Sequence, residues 1–294
     1  MASNNAPIVV LDSGLGGLTV VQALRRVMPG EQIVYFGDTA RLPYGSKTAA
    51  TVTSFVRQII LYLQPFGSKH VVIACNTATA LALPSIRKEF PMMQITGVIE
   101  PGAKAALAAV EKLANPVIGV IGTEATIRSR AYVAAIQKQR PEIKVVARAT
   151  PLLVPLIEEG RHKTDPLIRL ALEQYLQPIL EQKPAALVLG CTHYPILRAL
   201  VCDMVGDGIA VIDSADQCAR DVQARLRERD ALQDPTPKEL WLRCFVTDDS
   251  PRFATLASRF LGVTIREPEV VQPDLLYAGI VAQSPAELVA GAGV

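Results

Sequence analysis

Val71-Val72-Ile73-Ala74-Cys75-Asn76-Thr77-Ala78-Thr79 is an apolar run closed by a small residue, then a cysteine, then polar side chains that hydrogen-bond. Leu187-Val188-Leu189-Gly190-Cys191-Thr192-His193-Tyr194-Pro195 repeats that design, with Cys191 placed 116 residues after Cys75. A continuous apolar run of this length that ends in a turn-like polar cluster is how a strand buried on both faces stops. Both thiols are therefore expected just past the carboxyl ends of buried strands, where open α/β sheets place their ligands. Two matched thiols on one ligand suit a reaction that needs the same group on two opposite sides. Taking a proton from one face of a carbon and returning one to the other is such a reaction.

Outward from these two runs, further strand-like segments recur at Ile8 to Leu11, Ile33 to Phe36, Ile95 to Ile99, Val117 to Ile121, Ile143 to Ala147, Ile209 to Ile212 and Leu240 to Val246. Between them lie helical spacings, such as Leu18, Val21, Leu24 and Val27, then Val52, Val56, Ile59 and Ile60, and Leu167, Leu170, Ala171 and Leu176. Strand and helix alternating in this way predict parallel sheets covered on both faces. Val10-Leu11-Asp12-Ser13-Gly14 is also echoed by Val120-Ile121-Gly122-Thr123-Glu124, with Thr123 placed 110 residues after Ser13. Two echoes at nearly one offset point to two related halves, against the alternative of chance likeness between α/β strands. The expected division is 1–99 plus 213–294 as a first α/β domain and 100–212 as a second, with crossings near Glu100 and Asp213. Met1 to Ala6 and Ala290 to Val294 carry no anchoring pattern and are expected to fray.

Composition narrows the partners. Thirty basic and 28 acidic residues give a formal charge of +2 with no long block of one sign, so nothing electrostatic calls for nucleic acid or an anionic membrane. No signal peptide is evident at Met1 to Ala6 and no apolar stretch nears the ~18 residues of a membrane span, so a cytoplasmic protein is expected. The five cysteines, at 75, 191, 202, 218 and 244, are odd in number and include no Cys-x-x-Cys pair. That argues against a disulfide framework and a structural zinc site. Cys202, Cys218 and Cys244 read as inert packing residues.

Other motifs admit two readings each. Gly14-Leu15-Gly16-Gly17-Leu18-Thr19 fails as a dinucleotide fingerprint, because Thr19 stands where the third small residue belongs and Asp12 would face the pyrophosphate. The glycines then read as a tight strand-to-helix turn, with Asp12 either beside a ligand or capping the helix. The loop Phe36 to Gly45 can offer backbone N–H groups and a hydroxyl to a small anion or be an ordinary surface turn. His193 can exchange a proton near the Cys191 thiol, whereas solvent exposure accounts for His70 and His162. In Val154-Pro155-Leu156-Ile157-Glu158-Glu159, one acid can face a cleft, or both can end a solvated helix.

Asp12-Ser13-Gly14-Leu15-Gly16-Gly17, Pro43-Tyr44-Gly45, Cys75-Asn76-Thr77-Ala78-Thr79 and Gly190-Cys191-Thr192-His193-Tyr194-Pro195 together resemble the motifs of glutamate racemases, in order, from about Ile8 to about Phe260. The resemblance implies two pseudosymmetric α/β domains with parallel-type sheets, an active site in the cleft between them, and an isomerase that needs neither cofactor nor metal. It implies Cys75 and Cys191 as the catalytic pair, assisted by Asp12, His193 and Glu158, the last in preference to its neighbour Glu159. Substrate contacts carry over to Asp12, Ser13, Tyr44, Gly45, Asn76, Thr77, Thr192 and His193. It further implies glutamate as the small-molecule partner, D-glutamate supply for peptidoglycan and cell wall biogenesis in the bacterial cytoplasm, and compatibility with a homodimer. Aspartate racemases share the two-cysteine plan, but their second motif carries an acid after Cys-Thr, where this chain has His193 and Tyr194. The N-terminal extension of activator-responsive relatives is not expected, since Asp12 stands so early.

Such a reaction needs one thiolate and one thiol, with exchange of roles for the opposite enantiomer. A helix starting after each cysteine would help to form the anion. A thiol–disulfide protein would need the two cysteines to bond, and a binding protein without chemistry would leave the paired thiols without a purpose.

Overall fold

Alternating buried strands and amphipathic helices build two parallel sheets. The computed structural model describes residues 5–161, 164–237, 241–248, 253–264 and 266–278. The strands are β1 (Ile8–Asp12), β2 (Ile33–Gly37), β3 (His70–Ile73), β4 (Ile95–Gly97), β5 (Val117–Gly122), β6 (Lys144–Ala149), β7 (Ala186–Gly190), β8 (Ala210–Asp213), β9 (Leu242–Val246) and β10 (Glu269–Val270). The helices are α1 (Leu18–Val27), α2 (Ala49–Leu63), α3 (Asn76–Leu81), α4 (Leu83–Glu89), α5 (Ile99–Ala109), α6 (Glu124–Arg128) and α7 (Ala131–Gln137). They continue with α8 (Leu153–Glu158), α9 (Pro166–Leu180), α10 (Arg198–Val205), α11 (Ser214–Glu228), α12 (Phe253–Leu261) and α13 (Pro273–Ala278).

One sheet has the order β10-β9-β2-β1-β3-β4 and the other β6-β5-β7-β8, and every pairing is parallel. Replacing β1, β2, β3 and β4 by β5, β6, β7 and β8 turns the last four strands of the first order into the second, so the fold is a pseudosymmetric α/β architecture. The symmetry reaches single hydrogen bonds. Asp38 N–H, just after β2, donates to the Asp12 carbonyl at 3.0 Å, and Thr150 N–H, just after β6, donates to the Gly122 carbonyl at 2.9 Å. The central strands β1, β3 and β7 are buried along their whole length, as sheets covered by helices on both faces require. Each fully buried Val, Leu or Ile contributes about 1.5–3 kcal/mol over an exposed one, which is why the apolar runs read so clearly as strands. The chain leaves the first sheet through α5 and returns through α11; these helices pack on each other, and α11 also packs on α1. β9 then pairs with β2.

Several details depart from the sequence reading. β4 ends at Gly97, not Ile99, because Ile99 opens α5, whose first turn also holds Pro101, a residue tolerated there for lack of a needed N–H. A side chain at Gly97 would meet Thr79 Cγ2 at 2.4 Å, so the strand end is pressed against α3. β6 runs two residues past Ala147, and the two-residue β10 was not anticipated. His70 is buried inside β3, not exposed; its Nε2 lies 2.8 Å from Thr96 Oγ1 and its Nδ1 accepts from Arg229 at 3.3 Å. Leu240, His162, Ala290 to Val294 and Met1 to Asn4 lie outside the described residues. Among the described residues, no helix is long and apolar enough to cross a membrane.

Candidate active site

The carboxyl ends of β1 and β3 from one sheet, and of β5 and β7 from the other, open onto a cavity of about 270 Å³. In each sheet the strand order reverses direction between these two strands, the switch point at which open α/β sheets bind ligands. Cys75 and Cys191 both line this cavity, as do Ser13, Tyr44, Gly45, Asn76, Thr77, Glu158, Thr192 and His193. Asp12 does not line it; the residue is buried directly behind. A larger cavity of about 570 Å³ lies on the outer side, where α1 meets α11, bounded by Arg26, Asp213, Asp216 and Arg220; it contains neither thiol.

On the first wall, Cys75 caps α3, its sulfur accepting from the Ala78 N–H at 3.5 Å. Burial, and then the neighbouring Asp12 charge, push its thiol up to about 12, against hydrogen bonds from the Ser13 hydroxyl and Ala78 N–H. Asp12 is itself raised by burial, with His193 and the backbone N–H groups of Gly14, Gly17 and Ser13 opposing. Its Oδ2 accepts from Gly14 N–H at 3.0 Å, and Oδ1 has no hydrogen-bond partner among the described residues. The cap of α1 is Gly17 and involves no side chain, so Asp12 braces the turn before the helix and does not cap the helix itself. None of Gly14, Gly16 and Gly17 has a positive φ; close approach is what demands glycine here. A side chain at Gly16 would meet Thr192 Oγ1 at 2.3 Å and His193 Nδ1 at 2.6 Å.

On the second wall, Cys191 is followed by a turn and the 3-10 segment Tyr194–Leu197 before α10 begins. The α-helix expected directly after this thiol is absent, because Pro195 and the turn at Thr192 and His193 intervene. In its place His193 Nδ1 lies 3.8 Å from Cys191 Sγ and its Nε2 lies 3.0 Å from Glu158 Oε1. Burial lowers the imidazole's pKa, but the hydrogen bonds and charges of Cys191 and Glu158 outweigh it and hold the pKa at about 10. His193 thus presents an imidazolium to the Cys191 sulfur at neutral pH, the arrangement that activates thiols. Glu159, in contrast, pairs with Arg161 at 3.2 Å near the surface, which separates the two adjacent acids. The His193 ring also meets Phe260 of α12 edge-on.

Tyr44 reaches the cavity, yet its hydroxyl donates to Asp38, which also holds Arg41 and accepts from Thr247 Oγ1 at 3.0 Å. What the loop Phe36 to Gly45 offers a ligand is therefore backbone. Gly45 stands against Thr123 of the other half, where a Cβ would lie 3.0 Å from Thr123 Cβ. Thr77 Oγ1 bonds Thr123 Oγ1 across the same seam at 2.8 Å. Thr123, Glu124, Thr150, Pro151 and Val154 line the cavity and were not singled out as site residues. The echo of Ser13 at Thr123 was the signal that could have found the first of them. Among the described residues, no group of three or more His, Cys, Asp or Glu is placed to hold a metal ion.

The sequence profile of the Asp/Glu/hydantoin racemase family matches residues 18–222. The chain is 44% identical over 266 residues to a glutamate racemase of Syntrophus aciditrophicus, covering 90% of this chain and 96% of that protein. Its fold superposes on the glutamate racemase of Francisella tularensis, solved in complex with D-glutamate, with a TM-score of 0.84 and 36% identity, over 92% of this chain and 99% of that one. The Thermus thermophilus glutamate racemase, solved with β-chloro-D-alanine, gives a TM-score of 0.79 and 40% identity over 92% and 99%.

Proposed function

The chain belongs to the Asp/Glu/hydantoin racemase family, and on that footing we propose that it interconverts L- and D-glutamate, with Cys75 and Cys191 acting from opposite faces of the α-carbon. The observation that carries this reading is that one cavity receives two thiols from equivalent strand exits of two pseudosymmetric sheets. One sulfur removes the α-proton as thiolate, and the other, as thiol, delivers its proton to the opposite face. The proton count is unchanged, and the two cysteines exchange states at each turnover. Racemisation of the L-enantiomer takes Cys191 as base and Cys75 as acid; the D-enantiomer reverses them.

Among the described residues, no Lys or Arg lines the cavity. The two substrate carboxylates are held by neutral donors: hydroxyls of Ser13, Thr77 and Thr192, the Asn76 amide, and backbone N–H groups at Gly45 and at the start of α3. Such fixed donors also meet the charge that develops as the α-proton leaves. His193 and Glu158 support Cys191, and Asp12 serves Cys75 as proton relay. The placement fits a division into 1–99 plus 213–294 and 100–212, with the cavity between them. The wider role, supply of D-glutamate for peptidoglycan in the cytoplasm, follows from the same reading.

The test is incubation of pure protein with L-glutamate in deuterated water. Optical rotation should decay to zero with one solvent deuterium gained at the α-carbon. Aspartate should turn over far more slowly in a chiral assay. Absence of exchange, or faster turnover of aspartate, would refute the assignment.

A further inference from the structure

Asn76 is the first residue of α3, is 2% exposed, and lines the cavity. Its Oδ1 accepts from the Tyr132 hydroxyl at 2.7 Å, while its Nδ2 has no hydrogen-bond partner among the described residues. A buried amide donor left unpaired costs about 1–3 kcal/mol, a cost that a ligand accepting from it would remove. Tyr132 does not line the cavity and belongs to α7, in the other half of the fold. Ser214, at the start of α11, stands beside the Tyr132 ring. A tyrosine hydroxyl has one proton, and Tyr132 commits it to Asn76. The three groups meet where the chain passes between the sheets: a side chain on Gly102 of α5 would lie 3.0 Å from the Tyr132 hydroxyl and 3.1 Å from Ser214 Cβ.

We propose that Tyr132 is a positioning residue for the reaction: by occupying Asn76 Oδ1 from the opposite half, it fixes the amide with its NH₂ toward the cavity, as donor to a substrate carboxylate. This rests on the functional reading above. A carboxamide can turn over at little cost when nothing holds its oxygen; turned over, Asn76 would present an acceptor to an anion. The phenol removes that option, and it does so only while the two halves are together, because donor and acceptor come from different sheets.

Steady-state kinetics with glutamate test the idea, with wild-type turnover checking the functional reading on its own and variant-to-wild-type ratios checking the positioning role. Tyr132→Phe should raise KM about tenfold, the worth of one hydrogen bond, with kcat within about threefold. Asn76→Ala should raise KM at least as much, and the double variant should be no worse than Asn76→Ala alone. Asn76→Asp, which leaves Tyr132 intact and keeps an acceptor for it, should be worse than Asn76→Ala because an oxygen replaces the inward NH₂. An unchanged KM in Tyr132→Phe, or full multiplication of its effect in the Asn76→Ala background, would overturn the proposal. Should Tyr132→Phe fail to fold, the aspartate variant decides alone: near-wild-type KM in Asn76→Asp would mean the amide oxygen, and not its nitrogen, faces the substrate.

Discussion

The two strand exits after β3 and β7 share a backbone plan and differ in almost everything around the sulfur. Cys75 caps an α-helix and is flanked by Ser13 and a buried carboxyl, Asp12. Cys191 precedes a 3-10 turn and faces an imidazole that is itself paired with Glu158. The repeat thus delivers opposed placement, and the neighbours deliver unlike charge: an acid behind one thiol, a cation beside the other. Burial and Asp12 hold the proton on Cys75. The difference is hidden in the overall reaction. Enantiomers have equal free energy in water, so kcat/KM must be equal in both directions at every pH. The asymmetry can be read only when one face is made to work alone.

The largest effect should come from removing a sulfur. Cys75→Ala or Cys191→Ala should lower racemisation by about 10⁴-fold or more, beyond what general acid–base catalysis by a single group supplies. A glutamate analogue with a leaving group on the β-carbon isolates one face. The base takes the α-proton, the C–H electron pair becomes a C=C bond, and the leaving group departs with its own pair, so no second acid is needed. Cys191→Ala should eliminate from the D-form only, and Cys75→Ala from the L-form only, measured by product formation from each pure enantiomer. A single variant that processes both comparably would break the two-wall comparison.

Next in size are the supporting groups. In the same assay His193→Ala should slow elimination from the L-form by about 10²-fold and leave the D-form within a few-fold, because its ring nitrogen stands 3.8 Å from Cys191 Sγ. Asp12→Asn should do the reverse. Oδ1 of Asp12, without a hydrogen-bond partner among the described residues, is the acceptor we assign to the Cys75 proton, and an amide cannot replace it. A faster D-form reaction in Asp12→Asn would mean that Asp12 only repels the Cys75 thiolate and carries no proton.

The sequence made the frame legible because both thiols follow runs that only a doubly covered strand tolerates, and the echoes at Ser13/Thr123 and Cys75/Cys191 map onto β1/β5 and β3/β7. What it left open was decided across the seam. Glu158 and Glu159 are chemically equal neighbours in the chain, and only the approach of His193 from 35 residues away separates them. Tyr44 reads as a hydroxyl for the ligand until Asp38 is seen to occupy it. Thr150 and Tyr132 follow no unusual motif; their importance comes from partners at Tyr194 and Asn76. The role of Gly16 lies in its distance from Thr192 and His193, which no local turn preference encodes.

The smallest expected effect compares two buried histidines, one in each half. His70 in β3 is neutral: Arg229 can only donate, so Nδ1 accepts and Nε2–H donates to Thr96. Burial, with Arg229 and Arg225, pulls its pKa down to about 3. Its unfolded form binds a proton below about 6.5 and the folded form does not, so its presence makes stability fall as pH drops from about 6.5 through about 3. His193 has the opposite sign. With its folded pKa raised to about 10, the stability it contributes is complete below about 6.5 and is lost as pH rises through about 10. Thermal unfolding followed across pH should therefore separate two variants. His70→Gln should lose less stability than wild type on acidification from pH 6.5 to 4, by a few °C in Tm for a chain of this size. Glu158→Gln, which removes one of the two groups that hold the His193 proton, beside Cys191, should flatten the decline between pH 6.5 and 10 while leaving the acid limb unchanged. If Glu158→Gln altered only the acid limb, the His193 proton would not be held by Glu158, and the charge contrast between the two thiol walls would need another source.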